Sequence, residues 1–252
     1  MSAELKKDIH KILVEDFSQM MGFDKVTGLL PPVTHRGKTI TKRFSGMPFI
    51  GDNYGEYSPK ILIVGSDIGS DERGSDNTFH DFETKRSHCI LSKYYAHLAG
   101  TYMTALYLLR NCEQFRGMWQ DSMCGITAQG ALKRLNASQI ADVAHAIALT
   151  NLHKFVTVNR KGKSGADDRN WIDHDKEFAI FIEEVKCFAP DIIILQAINS
   201  ISEAEIEQIK QAAGGASVYK LTHPSTRKRG GRIVNNLIID PLCKQGYKEE
   251  TL

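Results

Sequence analysis

Long apolar runs, paired cysteines and a strong net charge are all missing from this chain, and each absence removes a class of protein. No apolar segment approaches the ~20 residues that span a bilayer, so we expect no membrane partner. The 5 cysteines stand singly, with none at the CxxC spacing of zinc and iron–sulfur sites. The net charge is only +2, so any binding of nucleic acid must depend on local basic clusters.

These features predict a globular protein of the cell interior. An odd number of cysteines and no visible signal peptide favour a reducing, cytoplasmic location. The composition, 42% hydrophobic and 25% charged over 252 residues, is ordinary for a chain that buries a sizeable core. We expect a monomer with no cofactor and no metal.

Two regions differ in composition, and we expect a boundary between residues 57 and 58. Residues 1–57 begin with a helical pattern over 3–22 and continue as a basic stretch rich in glycine and proline. That stretch fits either an arm lying across the main domain or a solvated loop. Residues 58–252 have the pattern of an α/β domain.

Strands alternate with helices through this second region. Apolar runs predict strands at 60–65, 146–152, 191–196 and 218–222. Helical patterns occupy 90–115, 128–135, 139–145 (capped by Ser138), 174–188 and 202–213, and a last helix ends near residue 244. We therefore predict an α/β protein with three α/β/α layers around a central, mainly parallel, four-stranded sheet.

Polar residues follow three of these strands at the point where each strand ends. Asp67 stands between Gly65 and Gly69, Asn151 stands at the end of the second strand, and His223 follows the fourth. Separately, these residues would be a turn former, a capping residue and a structural histidine. Because the carboxyl ends of parallel strands share one edge of a sheet, the carboxylate, amide and imidazole are expected along that edge.

The motifs at these strand ends resemble those of the uracil-DNA glycosylase superfamily, over roughly residues 58–245. The family's first motif is G-Q-D-P-Y-H, or G-E-A-P-G-x-x-E in thermophilic and bacterial relatives, and Gly65-Ser-Asp-Ile-Gly-Ser-Asp-Glu72 is similar to both. Its second motif, T-N-x-x-K-C, is similar to Thr150-Asn-Leu-His-Lys-Phe155. Its third, H-P-S, is intact at His223-Pro-Ser225.

The resemblance implies a set of roles around a base that is flipped out of DNA. Asp67 would orient the attacking water and stabilise a positively charged sugar, as a carboxylate does in glycoside hydrolysis. His223 would donate a hydrogen bond to the departing base, and the amide of Asn151 would read a pyrimidine edge. Phe79, fourteen residues after the first glycine of the motif, would stack on the base, and Phe82 is the second choice.

This chain departs from the family pattern at four positions. Ser66 replaces the usual Gln or Glu, and Ile68 replaces the usual Pro. Phe155 replaces a cysteine that helps to hold an iron–sulfur cluster in relatives, so we expect no cluster. Gly69 replaces the Tyr that excludes large bases, so the resemblance implies a pocket open to a 5-substituted pyrimidine, with plain uracil still an alternative. We place Ser66 and Gly69 in the base-binding set with Asn151 and Phe79.

Two basic clusters are the expected contacts with DNA, either double- or single-stranded. The residues that follow the third motif are Ser225, Arg227, Lys228, Arg229 and Arg232. The second cluster contains Arg160, Lys161 and Lys163. Phosphate contacts of this kind supply affinity and salt dependence rather than sequence specificity.

Two other functions compete with a glycosylase. A phosphate-cradling loop at Gly65–Gly69 is disfavoured, because the loop lacks both G-x-G-x-x-G and the lysine of a P-loop, and Asp67 would repel phosphate. A catalytically inactive nucleic-acid-binding module on the same fold is the remaining alternative.

Overall fold

The computed structural model of the chain describes residues 2–66, 96–158, 170–198, 201–224 and 232–248. The strands are β1 (Val33–His35), β2 (Lys38–Ile40), β3 (Lys42–Phe44), β4 (Phe49–Ile50), β5 (Ile61–Gly65), β6 (Ala148–Asn151), β7 (Phe155–Thr157), β8 (Ile192–Gln196) and β9 (Ser217–Leu221). The helices are α1 (Ser2–His10), α2 (Phe17–Met21), α3 (Ala96–Leu109), α4 (Ala128–Leu132), α5 (Ala137–His145), α6 (His174–Phe188), α7 (Glu203–Ala212) and α8 (Asp240–Lys244). Two π-helical segments, Lys11–Asp16 and Asn235–Ile239, precede α2 and α8.

Within the described residues, the main sheet has five strands in the order β4-β6-β5-β8-β9. The four strands predicted from apolar runs are all present, and β6, β5, β8 and β9 run parallel to one another. β5 and β8 are central and buried, which suits their nearly continuous Ile, Leu and Val content. The predicted α/β class is therefore confirmed.

The predicted count of four strands was one too low. β4, from the region expected to form an arm, pairs antiparallel with β6 and places Phe49 opposite Leu149. A strand of two residues flanked by Pro48 and Gly51 has no alternating pattern, so nothing in the sequence indicated it.

Helices cover both faces of the sheet. Ile61 and Ile63 of β5 point to one apolar core, which also contains buried residues of α3, α4 and α5. Leu62 and Val64 of the same strand point to a second core, shared with residues of α1, α2 and α6. This division follows from the alternation of side chains along a strand.

Residues of the N-terminal region enter the second core. The predicted helix over 3–22 is confirmed as a nearly continuous helical segment, and β3 pairs antiparallel with β7. The rings of Phe17, Phe23 and Phe44 lie 5.1–5.9 Å from neighbouring rings in a cluster with Phe155. Phe155 is therefore packed among phenylalanines here. It stands at the position where relatives of the resembled family carry an iron–sulfur cysteine.

Capping residues define the starts of α5, α6 and α7. Asp173 caps α6, where its carboxylate accepts a hydrogen bond from the backbone N–H of Lys176. Ser202 and Glu205 form a reciprocal capping box at the start of α7. Asn136, rather than the predicted Ser138, caps α5, because its side chain accepts from the backbone N–H of Gln139. Among the described helices, none combines the length and apolar character needed to cross a membrane.

Candidate active site

The three strands that end in predicted site residues lie in one parallel arrangement. β6, which carries Asn151, is the direct neighbour of β5, which ends at Gly65. β9, which precedes His223, is separated from β5 by β8. At the usual spacing between strands, the ends of β5 and β9 are roughly 10 Å apart. Asp67, Gly69 and Phe79 lie outside the described residues.

Gly65 and Asn151 are in register, and the absence of a side chain on Gly65 makes room for the amide of Asn151. A β-carbon built on Gly65 would stand 2.8 Å from Oδ1 of Asn151. Any other residue at position 65 would therefore push the amide away from the end of β5. Asn151 is only 6% exposed, so its amide is held inside the protein.

Backbone pairing between β5 and β6 continues beyond the strands themselves. The N–H of Leu152 donates to the carbonyl of Gly65 at 2.9 Å, and the N–H of His153 donates to the carbonyl of Ser66 at the same distance. The turn after Asn151 is thus fastened to the residue that directly precedes Asp67 in the chain. Ser66 itself is partly buried.

A buried ion pair between Lys154 and Glu184 stabilises this turn against α6. The ammonium of Lys154 pairs with the carboxylate of Glu184 on α6, and both side chains are fully buried. Thr150 completes the network, because its hydroxyl accepts from Lys154 at 3.1 Å and donates to Glu184 at 3.2 Å. The network therefore joins Thr150 and Lys154, which flank Asn151 in the chain, to Glu184 of α6.

A second carboxylate of α6 holds the next residues of the turn. Oε1 of Glu177 accepts hydrogen bonds from the backbone N–H groups of Lys154 and Phe155. Oε2 of the same carboxylate lies 3.1 Å from Nδ1 of His153. Glu177 and Glu184 are seven residues apart, so they occupy one face of the helix.

His223 is positioned by the residues on either side of it. The carbonyl of Leu221 accepts a hydrogen bond from the N–H of Ala197, and the buried Pro224 packs against Gly100 of α3. A β-carbon on Gly100 would stand 2.5 Å from Cβ of Pro224. The side chain of His223 is exposed, but neighbouring protein atoms partly desolvate it, which lowers the pKa of its imidazole. The neutral form is therefore favoured at neutral pH.

Gln196 is a polar strand end that sequence reasoning missed. It ends β8, between the ends of β5 and β9, and is 8% exposed. Its Oε1 accepts a hydrogen bond from the hydroxyl of Thr101 on α3 at 3.0 Å. The signal was present, because an amide directly after four consecutive apolar residues resembles the ends of the other strands.

Of the residues named in the two basic clusters, the structure describes only Arg232. The carbonyl of Arg232 accepts from the N–H of Ala128 at 2.9 Å, which ties this end of the third-motif segment to the start of α4. The remaining predicted DNA-contacting residues lie outside the described part of the chain: Ser225, Arg227, Lys228, Arg229, Arg160, Lys161 and Lys163. Trp171, which follows the second cluster in the sequence, is exposed, and its ring lies 4.8 Å from that of His35.

One group of described side chains offers the atoms that metals bind. Ligand atoms of His153, His174 and Glu177 all lie within 4.8 Å of one another. The spacing in sequence gave no sign of this group, because His153 is 21 residues from His174. Its His153 stands in the turn that follows Asn151.

No family model, curated protein or solved structure matches this chain.

Proposed function

We propose that the protein is a monofunctional DNA glycosylase on a fold like that of the uracil-DNA glycosylases. It would flip a pyrimidine from DNA, hydrolyse its N-glycosidic bond and leave an abasic site. The observation that carries the proposal is the packing of the Asn151 amide on Gly65, at the sheet edge where the chain continues to Asp67. His223 follows a parallel strand of the same sheet.

The buried amide is the part of the site suited to recognising a base. A base within a duplex must leave the stack before its glycosidic bond can be attacked. Asn151 both donates and accepts hydrogen bonds, and its burial keeps water from competing for them. In this proposal Phe79 stacks on the flipped base, a contact worth about 1–3 kcal/mol in nucleic-acid complexes.

The two titratable residues act on opposite charges in the transition state. Cleavage leaves positive charge on the sugar and negative charge on the base. Asp67 stabilises the sugar cation and places the water. His223, with its lowered pKa, is a neutral donor to the oxygen of the departing base. Such a preorganised donor is typically worth about 3–4 kcal/mol of barrier.

The proposed substrate is a pyrimidine with a substituent at its 5-position. Gly69 stands where the first motif of the resembled family has a Tyr that excludes such groups. A hydroxymethylated or glucosylated cytosine of phage DNA would then fit, which gives the protein a role in defence. Uracil remains the alternative substrate.

Base release from synthetic DNA tests the proposal. Duplex and single-stranded oligonucleotides would carry uracil, a thymine mismatch, or 5-hydroxymethylcytosine with and without glucose, and alkali would cleave the abasic product. We expect release by the wild type and loss of release in Asp67→Asn and His223→Ala. Asp121→Asn and His10→Ala, which change exposed residues of the same types, are the matched controls and should retain activity.

Two results separate the alternatives. Release of uracil alone would reject the open pocket but keep the glycosylase. DNA binding without release of any base would favour the inactive binding module. That module remains an alternative because Ser66 and Ile68 depart from the first motif.

A further inference from the structure

We propose that His153, His174 and Glu177 form a binding site for a divalent first-row transition metal ion. The three residues come from two elements, the turn after β6 and the first turn of α6. Their candidate ligand atoms lie within 4.8 Å of one another. This inference depends on the geometry of the described residues alone and not on the proposed glycosylase activity.

The separation of the first two ligands already suits a metal. Nδ1 of His153 and Oε2 of Glu177 are 3.1 Å apart. Two ligands on a tetrahedral zinc ion, each with a bond of about 2.1 Å, are about 3.4 Å apart. The ligand atom of His174 lies within 4.8 Å of both, and its ring centroid is 6.2 Å from that of His153.

A further carboxylate orients the third ligand. Nε2 of His174 lies 3.0 Å from Oε1 of Glu205, and the other oxygen of Glu205 accepts from the N–H and hydroxyl of Ser202. Metal-binding histidines commonly donate their second ring N–H to a carboxylate fixed in this way. Glu205 would thus leave Nδ1 of His174 for the ion.

The site combines a rigid interior with access from solvent. His153 is 6% exposed and Glu177 is 2% exposed, and the backbone N–H groups of Lys154 and Phe155 hold the carboxylate in place. The side chain of His174 is 54% exposed. An ion can therefore enter from the surface at His174 and meet two preformed ligands below it.

The ligand types indicate which ions bind. Imidazole suits zinc, cobalt, nickel and related ions, whereas magnesium and calcium prefer sites made of oxygen ligands. Two imidazoles and one carboxylate therefore favour the first group. A bound ion would join the start of α6 to the turn that follows Asn151, and so stiffen the candidate active site.

Metal titration of the full, untagged chain tests the site. After treatment with EDTA and dialysis, the protein would be titrated with Zn²⁺ by calorimetry and with Co²⁺ by visible absorption, and Mg²⁺ would serve as the comparison ion. We expect one Zn²⁺ or Co²⁺ per chain and no Mg²⁺ at the same concentrations. His174→Ala should weaken binding by at least ~10-fold, the lower bound for losing even an outer partner of a ligand.

Two variants make the result decisive. His10→Ala removes another exposed histidine and should bind as the wild type does. Glu177→Gln keeps an oxygen acceptor for the backbone of Lys154 and Phe155 but removes the charged ligand, so it too should bind more weakly. Equal binding by His10→Ala and His174→Ala, or no stoichiometric binding of Zn²⁺ by the folded wild type, would overturn the proposal.

Discussion

Oδ1 of Asn151 lies 2.8 Å from the point at which a β-carbon on Gly65 would stand. Substituting Gly65→Ala should therefore displace the amide while leaving the strands paired. If Asn151 reads the base, a displacement of about 1 Å should lower kcat/KM for base release by about 100-fold. The free energy of unfolding should fall by about 1–3 kcal/mol, since a buried polar group is disturbed.

Gly125→Ala is the matched control for this substitution. A β-carbon at Gly125 meets no atom within 4 Å, so the methyl group has open space. We expect unchanged activity and stability for this variant. Equal activity of the Gly65→Ala and Gly125→Ala proteins would show that Asn151 does not read the base.

Gly100→Ala tests whether α3 positions His223. In an exposed helix the change from glycine to alanine stabilises by roughly 0.5–1 kcal/mol. Here the new methyl group would stand 2.5 Å from Cβ and 3.1 Å from Cα of Pro224, so overpacking of about 1–3 kcal/mol should outweigh that gain. Urea unfolding should show a net loss of stability, together with slower base release. A gain in the free energy of unfolding would mean that Pro224 moves to accommodate the methyl group without a loss of stability.

The titration of His223 should report its partial desolvation. Its pKa in the folded protein is expected below the 6.5 of an unperturbed histidine. The neutral ring is favoured by folding, so stability is lost as pH falls from about 6.5 through the folded pKa. NMR titration, assigned by comparison with His223→Gln, measures the pKa directly. A value at or above 6.5 would argue against a neutral donor at this position.

The same variant tests the sign of the effect on stability. The wild type should lose stability relative to His223→Gln as pH is lowered through this window. Paired urea denaturations at pH 7.5 and at pH 5 would measure the difference. A wild type that gains stability relative to the variant on acidification would contradict the desolvation of His223.

The buried pair of Lys154 and Glu184 should be costly to break on one side only. Lys154→Met or Glu184→Gln leaves a charged partner in a fully buried position, and each should lower the free energy of unfolding by about 3–5 kcal/mol. The double variant Lys154→Met/Glu184→Leu removes both charges and should recover much of that loss. Urea unfolding measures all three, and single variants within 1 kcal/mol of the wild type would show that the pair is not decisive.

The strands and the main helices could be predicted because their signals are local. The apolar run of β5 and the helical pattern of α6 each indicate the type of element and its bounds to within a few residues. Helix α6 was predicted over 174–188, and the structure has the same bounds. Sheet order, by contrast, depends on pairing between distant segments. The strand β4 could not be predicted, because a strand of two residues is too short to show an alternating pattern of apolar and polar side chains.

The supports of the candidate site could not be predicted for a related reason. Lys154, Glu177 and Glu184 have the composition of a solvated surface, and only the packing of α6 against the turn after β6 buries them. Gly65 was predicted as the end of a strand and the first residue of a motif, whereas its packing role depends on the register of β5 against β6. Ser66, Asn151 and His223 were placed on the correct strand ends, while their chemical roles remain predictions.

Release of a free base from DNA is the reaction proposed for this protein. Mass spectrometry of the bases liberated from a panel of modified DNAs measures that release without assuming the substrate. We expect a free pyrimidine that appears with wild-type protein and with Asp121→Asn but not with Asp67→Asn, and that carries a 5-substituent if Gly69 opens the pocket. Absence of any free base across the panel, or equal release by the Asp67→Asn variant, would contradict it.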